Sequence, residues 1–154
     1  MKKTKILVTG GSGMLARSIE TVLNERRDLV LMMMNHEQLD ITNKKQLHRC
    51  MRQKKPDVVI HCAAYTDVDG CELEPGKAHR INAIGTANVA VACNAIGARL
   101  LAISTDYVFD GQLNRPYNED DKAGGSRTVY GRTKYTGEQR VRIFCPNHCI
   151  CRVA

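Results

Sequence analysis

The sequence predicts an α/β protein in which a parallel sheet is wound on both faces by helices, and three observations carry that prediction. Short β-rich runs alternate with stretches of helical periodicity along the whole chain. The run DVVIHCAA is nearly continuous in apolar residues, as a strand buried on both faces of a parallel sheet requires. A glycine-rich turn, GGSG, separates the first run from the first helical stretch. Strands joined in this way take right-handed crossovers. Ligands of such sheets collect at the carboxyl ends of the strands, where the strand order reverses.

The elements follow in order. KILVT, residues 5–9, is the first strand, and MLARSIETVLNE follows as a helix with Leu15, Ile19, Val22 and Leu23 on one side. LVLMM, from Leu29, is the second strand. Thr42 is a suitable N-cap for NKKQLHRCMRQ, and Pro56 stops that helix. DVVIHCAA is the third strand. KAHRINAIGTANVAVACNAIG reads as one long helix whose shared face holds Ile81, Ile84 or Gly85, Asn88, Ala92 and Ala95, ended by Gly97. RLLAIST is the fourth strand. The polar stretch from Asp110 to Arg127 is too long for a plain connector and is a candidate lid. A helix beginning near Tyr130 and a strand near Ile150 complete the chain.

At 154 residues the chain fits one domain, residues 1–154, large enough to bury a core. With 43% hydrophobic and 25% charged residues and no low-complexity block, disorder is excluded as its main character. No apolar run approaches the roughly 20 residues a bilayer span needs, and MKKTKILVTGG breaks into glycines too soon for a signal peptide, so neither a membrane nor export is expected. The seven cysteines are odd in number and scattered, which favours reduced thiols. CPNHCIC, residues 145–151, lacks the spacing of common zinc sites and reads as the approach to a strand, so no metal is expected. The net charge of +7 favours anionic partners, but the cations are dispersed along the chain and aromatics are only 5%. That composition suits a nucleotide-like ligand rather than nucleic acid.

In TGGSGMLA, residues 9–16, Gly10 can take the tight turn, Gly13 admits a pyrophosphate close to the backbone, and Ala16 permits close helix-to-strand packing. The N–H groups of the following helix start would meet the phosphates. Strand, glycines and helix in this order predict a Rossmann-type NAD(P)-binding fold. Where an acid ending the second strand would bind ribose hydroxyls, this chain has Asn35 and His36; a 2′-phosphate is then not repelled, and His36 or Arg17 could receive it. NADPH is therefore expected, with NADH also admitted. Asp40 and Ile41 are placed to reach the adenine edge, although Asp40 equally suits a turn. Tyr130 and Lys134 in VYGRTK stand one helical turn apart on one face. A tyrosine titrates at about 10, and a neighbouring ammonium favours its phenolate; bringing it near neutrality asks for roughly 4 kcal/mol. Thr105, in STDYVFDG at the end of the fourth strand, would lie over the same crevice with its hydroxyl free for a substrate carbonyl.

TGGSGMLA, LDIT, HCAAYTDVDGCE, INAIGTANVA, STDYVFDG and YGRTK, in this order and spacing, resemble the extended short-chain dehydrogenase/reductases, most closely the dTDP-4-dehydrorhamnose reductases. The resemblance implies NAD(P)H-dependent reduction of the 4-keto group of dTDP-4-dehydro-L-rhamnose to dTDP-L-rhamnose in the cytoplasm, on a nucleotide-sugar substrate and with a homodimer admitted. It implies Tyr130 as proton donor, Lys134 as its modulator and a ligand of the nicotinamide ribose, and Thr105 as the polarising hydroxyl. It further implies Asp106 as a substrate contact, Gly13, Met14 and Leu15 at the pyrophosphate, and Asp40 and Ile41 beside adenine. Ala64, Tyr65, Thr66 and Ser104 would lie along the cofactor. Relatives continue past CRVA into a sugar-binding half, so the chain is expected to be the nucleotide half and to bind cofactor better than it reduces substrate. Two other functions fit the same residues: a different nucleotide-sugar reductase or epimerase of the superfamily, and a non-catalytic NADP-binding subunit like the methionine adenosyltransferase beta subunit.

Overall fold

Short apolar runs build five strands, β1 (Thr4–Thr9), β2 (Leu29–Met34), β3 (Val58–His61), β4 (Arg99–Thr105) and β5 (His148–Val153), in a computed structural model that describes residues 2–154. All pair in parallel in the order β2-β1-β3-β4-β5, a Rossmann-like sheet. The order reverses between β1 and β3, which fixes the ligand crevice at Thr9 and His61, the last residues of those two strands.

Helix α1 (Met14–Leu23) covers one face of the sheet, where Ala16 packs against Ile6, Val8 and Ile60. Its inward stripe is Ala16, Ile19 and Leu23. Leu15 and Val22, expected on that stripe, are exposed, Val22 to 72%. The opposite face carries α2 (Lys44–Lys54), α5 (Thr86–Ile96) and α6 (Val129–Phe144), side by side over a larger core that includes Leu7, Leu47, Met51, Val89 and Val141. The N-cap of α2 is Asn43, whose side chain accepts from Gln46 N; Thr42, expected in that role, instead donates to Asp40.

The long helix expected over residues 77–97 is a compound element. Two short helices, α3 (Val68–Leu73) and α4 (Pro75–Ala78), lead into a wide π-helical turn, His79–Gly85, before α5 begins. The wider turn shifts the phase of the helix. Asn82, Ala83, Gly85, Val89, Ala90, Ala92 and Cys93 therefore face inward; Gly85 rather than Ile84 takes the expected place, while Ala95, expected on that face, is exposed. Gly85 fits because a Cβ there would lie 2.7 Å from Ile41 Cδ1. Gly97 ends α5 in the left-handed region, as expected.

The stretch 110–127 is a loop closed on itself. Arg115 pairs with Asp121 at 2.7 Å, Tyr117 donates to Asp110 at 2.6 Å and stacks on Phe109, and Gly124 N donates to Val108 O. These internal bonds give it the character of a packed Ω-loop. Of the seven thiols, all free, Cys71, Cys93 and Cys145 are buried, Cys50 and Cys62 half-buried, and Cys149 and Cys151 exposed. In CPNHCIC the His148 ring is bonded to the Cys145 carbonyl, and Cys149 and Cys151 lie on the exposed face of β5.

Candidate functional site

The glycine turn has the shape its sequence predicts. Gly10 sits at φ +69, and a Cβ on it would lie 2.8 Å from the Ala63 backbone, so the turn passes against the end of β3 only because Gly10 has no side chain. Gly11, which the sequence did not single out, is equally constrained, since a Cβ there would be 2.9 Å from Met34 N. Gly13 is the N-cap of α1 with no side-chain cap, and the first turn carries no acid. Met14 is 87% exposed and Leu15 lies beside it on the surface. The amino end of α1 thus offers uncapped N–H groups and a favourable dipole to an anion.

The second strand ends in a turn in which Asn35 accepts from Gln38 N and donates its own N–H to Gln38. His36 and Arg17 are exposed. Asp40 takes the turn role: its carboxylate accepts from both Thr42 N and Thr42 Oγ1 at 2.8 Å. The Ile41 side chain belongs to the core, and its carbonyl accepts from Asn88.

On the far side of the crevice, Tyr65 is fixed by Asn82, which accepts from Tyr65 N at 2.8 Å and donates to Tyr65 O at 3.0 Å. This holds the backbone of Ala64, Tyr65 and Thr66 at the carboxyl end of β3. Asn82 also reaches Thr133 Oγ1 at 3.2 Å, and Thr133 donates to the Tyr130 carbonyl, so the strip at 64–66 and the first turn of α6 share one hydrogen-bond chain. The amino end of α6 is further held by Thr128, which accepts from Gly131 N, and by Glu72, which accepts from Val129 N at 2.6 Å. Asn82 and Glu72 were missed in the sequence; a lone polar residue on an apolar helical face was the available signal for Asn82.

Thr105, at the end of β4, stands close enough to the Tyr130 phenol to act on its titration. Its hydroxyl, expected to be free, donates to Asp106 Oδ1 at 3.1 Å and accepts from Tyr107 N. The Tyr107 ring meets Tyr130 edge-on at 5.5 Å. Gly131 lets this packing close, because a Cβ there would collide with the Tyr107 carbonyl and Ser126. Tyr130 and Lys134 are both buried on α6. Their coupling differs from the expectation: the Tyr130 phenol titrates above its usual range because burial dominates, with the neighbouring Thr105 hydroxyl acting in the opposite sense. The Lys134 ammonium is spent on the Ile103 carbonyl at 2.7 Å, and burial lowers its pKa to about 8.

Behind these groups lies a buried polar layer. Thr9 Oγ1 receives Ala63 N and lies 2.7 Å from His61 Nδ1, while His61 Nε2 lies 3.0 Å from Thr86 Oγ1. Burial and the nearby Lys134 push the His61 pKa down to about 3, so the ring is neutral. The Ser104 hydroxyl donates to Glu138 at 2.6 Å, and Glu138 pairs with Arg152 at 2.8 Å. Ser104 therefore joins β4 to α6 and β5 through its side chain.

The family model described as RmlD substrate binding domain matches residues 4–154. A dTDP-4-dehydrorhamnose reductase from Streptomyces griseus is 45% identical over 141 residues, covering 92% of this chain and 46% of the relative. Among solved structures, a dTDP-4-dehydrorhamnose reductase from Clostridium acetobutylicum superposes with a TM-score of 0.95 at 42% identity, over 98% of this chain and 53% of the other. One from Bacillus anthracis, solved in complex with NADP, gives 0.94 at 39% identity, over 99% and 54%. The chain spans about half the length of the relatives it matches.

Proposed function

The chain belongs to the RmlD substrate binding domain family, and from that premise we propose that it forms the cofactor-binding half of an NADPH-dependent dTDP-4-dehydrorhamnose reductase. The observation that carries the proposal is the meeting of Thr105 and Tyr130 at the end of β4, with Lys134 buried one turn further along α6. The uncapped amino end of α1 beyond Gly10 fits a dinucleotide, with Gly13, Met14 and Leu15 at the pyrophosphate and the strip 64–66 along its length. The absence of a carboxylate at Asn35, with Arg17 and His36 exposed nearby, supports the phosphorylated form.

When bound, NADPH supplies hydride for C4 of the keto sugar. The protein supplies the proton and the orientation. Tyr130, whose raised pKa keeps the phenol protonated at neutral pH, gives its proton to the C4 oxygen. Thr105 polarises the same oxygen, and Asp106 contacts the sugar beside it. Lys134 holds a ribose hydroxyl of the cofactor when its ammonium leaves the Ile103 carbonyl. Asn82 keeps Tyr130 in register with the strip 64–66.

The test is turnover by the complete protein with dTDP-4-dehydro-L-rhamnose and NADPH, followed by loss of nicotinamide absorbance. Tyr130→Phe should lower the rate at least about a hundredfold, the usual worth of a positioned acid, while leaving NADPH affinity unchanged. Absence of turnover in the wild-type protein with cofactor still bound would refute the reductase assignment and leave nucleotide binding.

A further inference from the structure

Six of the chain's seven net positive charges lie on twelve consecutive residues. Lys44, Lys45, Arg49, Arg52, Lys54 and Lys55 belong to α2 or its C-cap, and residues 44–55 include no carboxylate, so the rest of the chain is close to neutral. The cations are dispersed along the sequence, as its composition suggested, but the net charge is concentrated. All six side chains are exposed, and none forms an ion pair among the described residues.

Helix stability accounts for only part of this arrangement: Arg52, Lys54 and Lys55 lie at the carboxyl end of α2, where the macrodipole favours cations. Lys44 and Lys45 stand in the first turn, where the macrodipole disfavours cations. Lys45, Arg49 and Arg52 repel one another at i, i+4 and i+7, with no acid interleaved. The inner face of α2, Leu47 and Met51, is fully buried, so the charged stripe is the outer surface of a helix packed flat beside α5. Such a helix cannot protrude into a nucleic-acid groove, and α2 has no Phe, Tyr or Trp for bases to stack on. Where α2 ends, Lys2, Arg52 and Lys55 rim a shallow depression with Pro56 and Ile96, beside Asp57, which Lys2 and the Lys5 N–H already engage.

We propose that the outer face of α2 docks on an anionic phospholipid surface through its cations, a peripheral contact that needs no spanning helix. A flat polybasic helix without apolar anchors meets a plane of phosphates by charge alone, and the contact is therefore reversible by salt. Helix α2 runs toward the amino-terminal edge of the sheet, ending just before β3 begins, whereas the crevice opens at the carboxyl ends of the strands. Docking leaves the crevice free.

The test is co-sedimentation of the protein with phosphatidylcholine vesicles, with and without phosphatidylglycerol, at low and high salt. Binding should require phosphatidylglycerol and disappear at high salt. Lys45→Gln/Arg49→Gln/Arg52→Gln should weaken it by about a hundredfold, while Arg27→Gln, an exposed cation outside the stripe, should leave it unchanged. Circular dichroism establishes that the triple variant is folded; if it is not, Lys45→Gln/Arg49→Gln should weaken binding by at least about tenfold. Failure to bind at low salt, equal binding to both vesicles, or undiminished binding by folded variants would overturn the proposal. So would preference for duplex RNA over vesicles with the same sensitivity to the variants. The readout is independent of turnover, so it stands or falls apart from the reductase assignment.

Discussion

The Tyr130 phenol is kept protonated by burial, and Lys134 has no part in that while its ammonium rests on the Ile103 carbonyl. The i, i+4 spacing made it legible that the two side chains share a helix face; it could not reveal where a four-carbon stem would place its charge. Gly10 was legible for a simpler reason, since a positive φ beside another backbone leaves no alternative residue. Gly10→Ala should therefore cost at least about 1–2 kcal/mol from the left-handed backbone alone, with further loss as Ala63 is displaced. Urea denaturation would measure the cost, and titration with NADPH should reveal weakened binding in whatever fraction stays folded. At Asp40 the sequence left two readings open, and the turn accounts for the contacts its carboxylate makes; Ile41, expected beside adenine, packs its side chain in the core.

The elements were legible wherever periodicity was uniform. β4 spans the expected residues, and Thr128 and Val129 start α6 where the pattern begins. Residues 68–97 were not, because Asn82 answers to the Tyr65 backbone rather than to helical phase, and the turn widens around it. The joint between α6 and β5 was equally hidden. Glu138, 3% exposed, accepts from Arg152 and Ser104 and lies 3.4 Å from Arg142, three partners from separate parts of the chain. Replacing Glu138 with Ala leaves Arg152 without its buried counter-charge and should destabilise by about 3–5 kcal/mol. Arg142→Ala, on the exposed side of the same cluster, should cost under about 1 kcal/mol. Denaturant midpoints for the two variants separate the buried pair from the surface one.

For the molecule as a whole, the buried layer at the crevice sets the pH dependence of stability. His61 has its folded pKa lowered from 6.5 to about 3, so the unfolded chain takes up a proton first and stability falls as pH drops through that interval. His61→Gln should flatten the acid limb of an unfolding-versus-pH profile. Lys134 acts at the other end: with its pKa lowered from 10.5 to about 8, stability rises with pH above about 8. Beyond pH 9 that gain is opposed, because the Cys62 and Cys93 thiols, pushed up to about 11 and about 12, ionise first in the unfolded chain. The graded burial of the thiols has a practical consequence. Alkylation should modify Cys149 and Cys151 first, reach Cys71 only when α3 lifts from Tyr130, and reach Cys93 only when the central core opens. Mass spectrometry of partly labelled protein would then time the opening of each layer without an added probe.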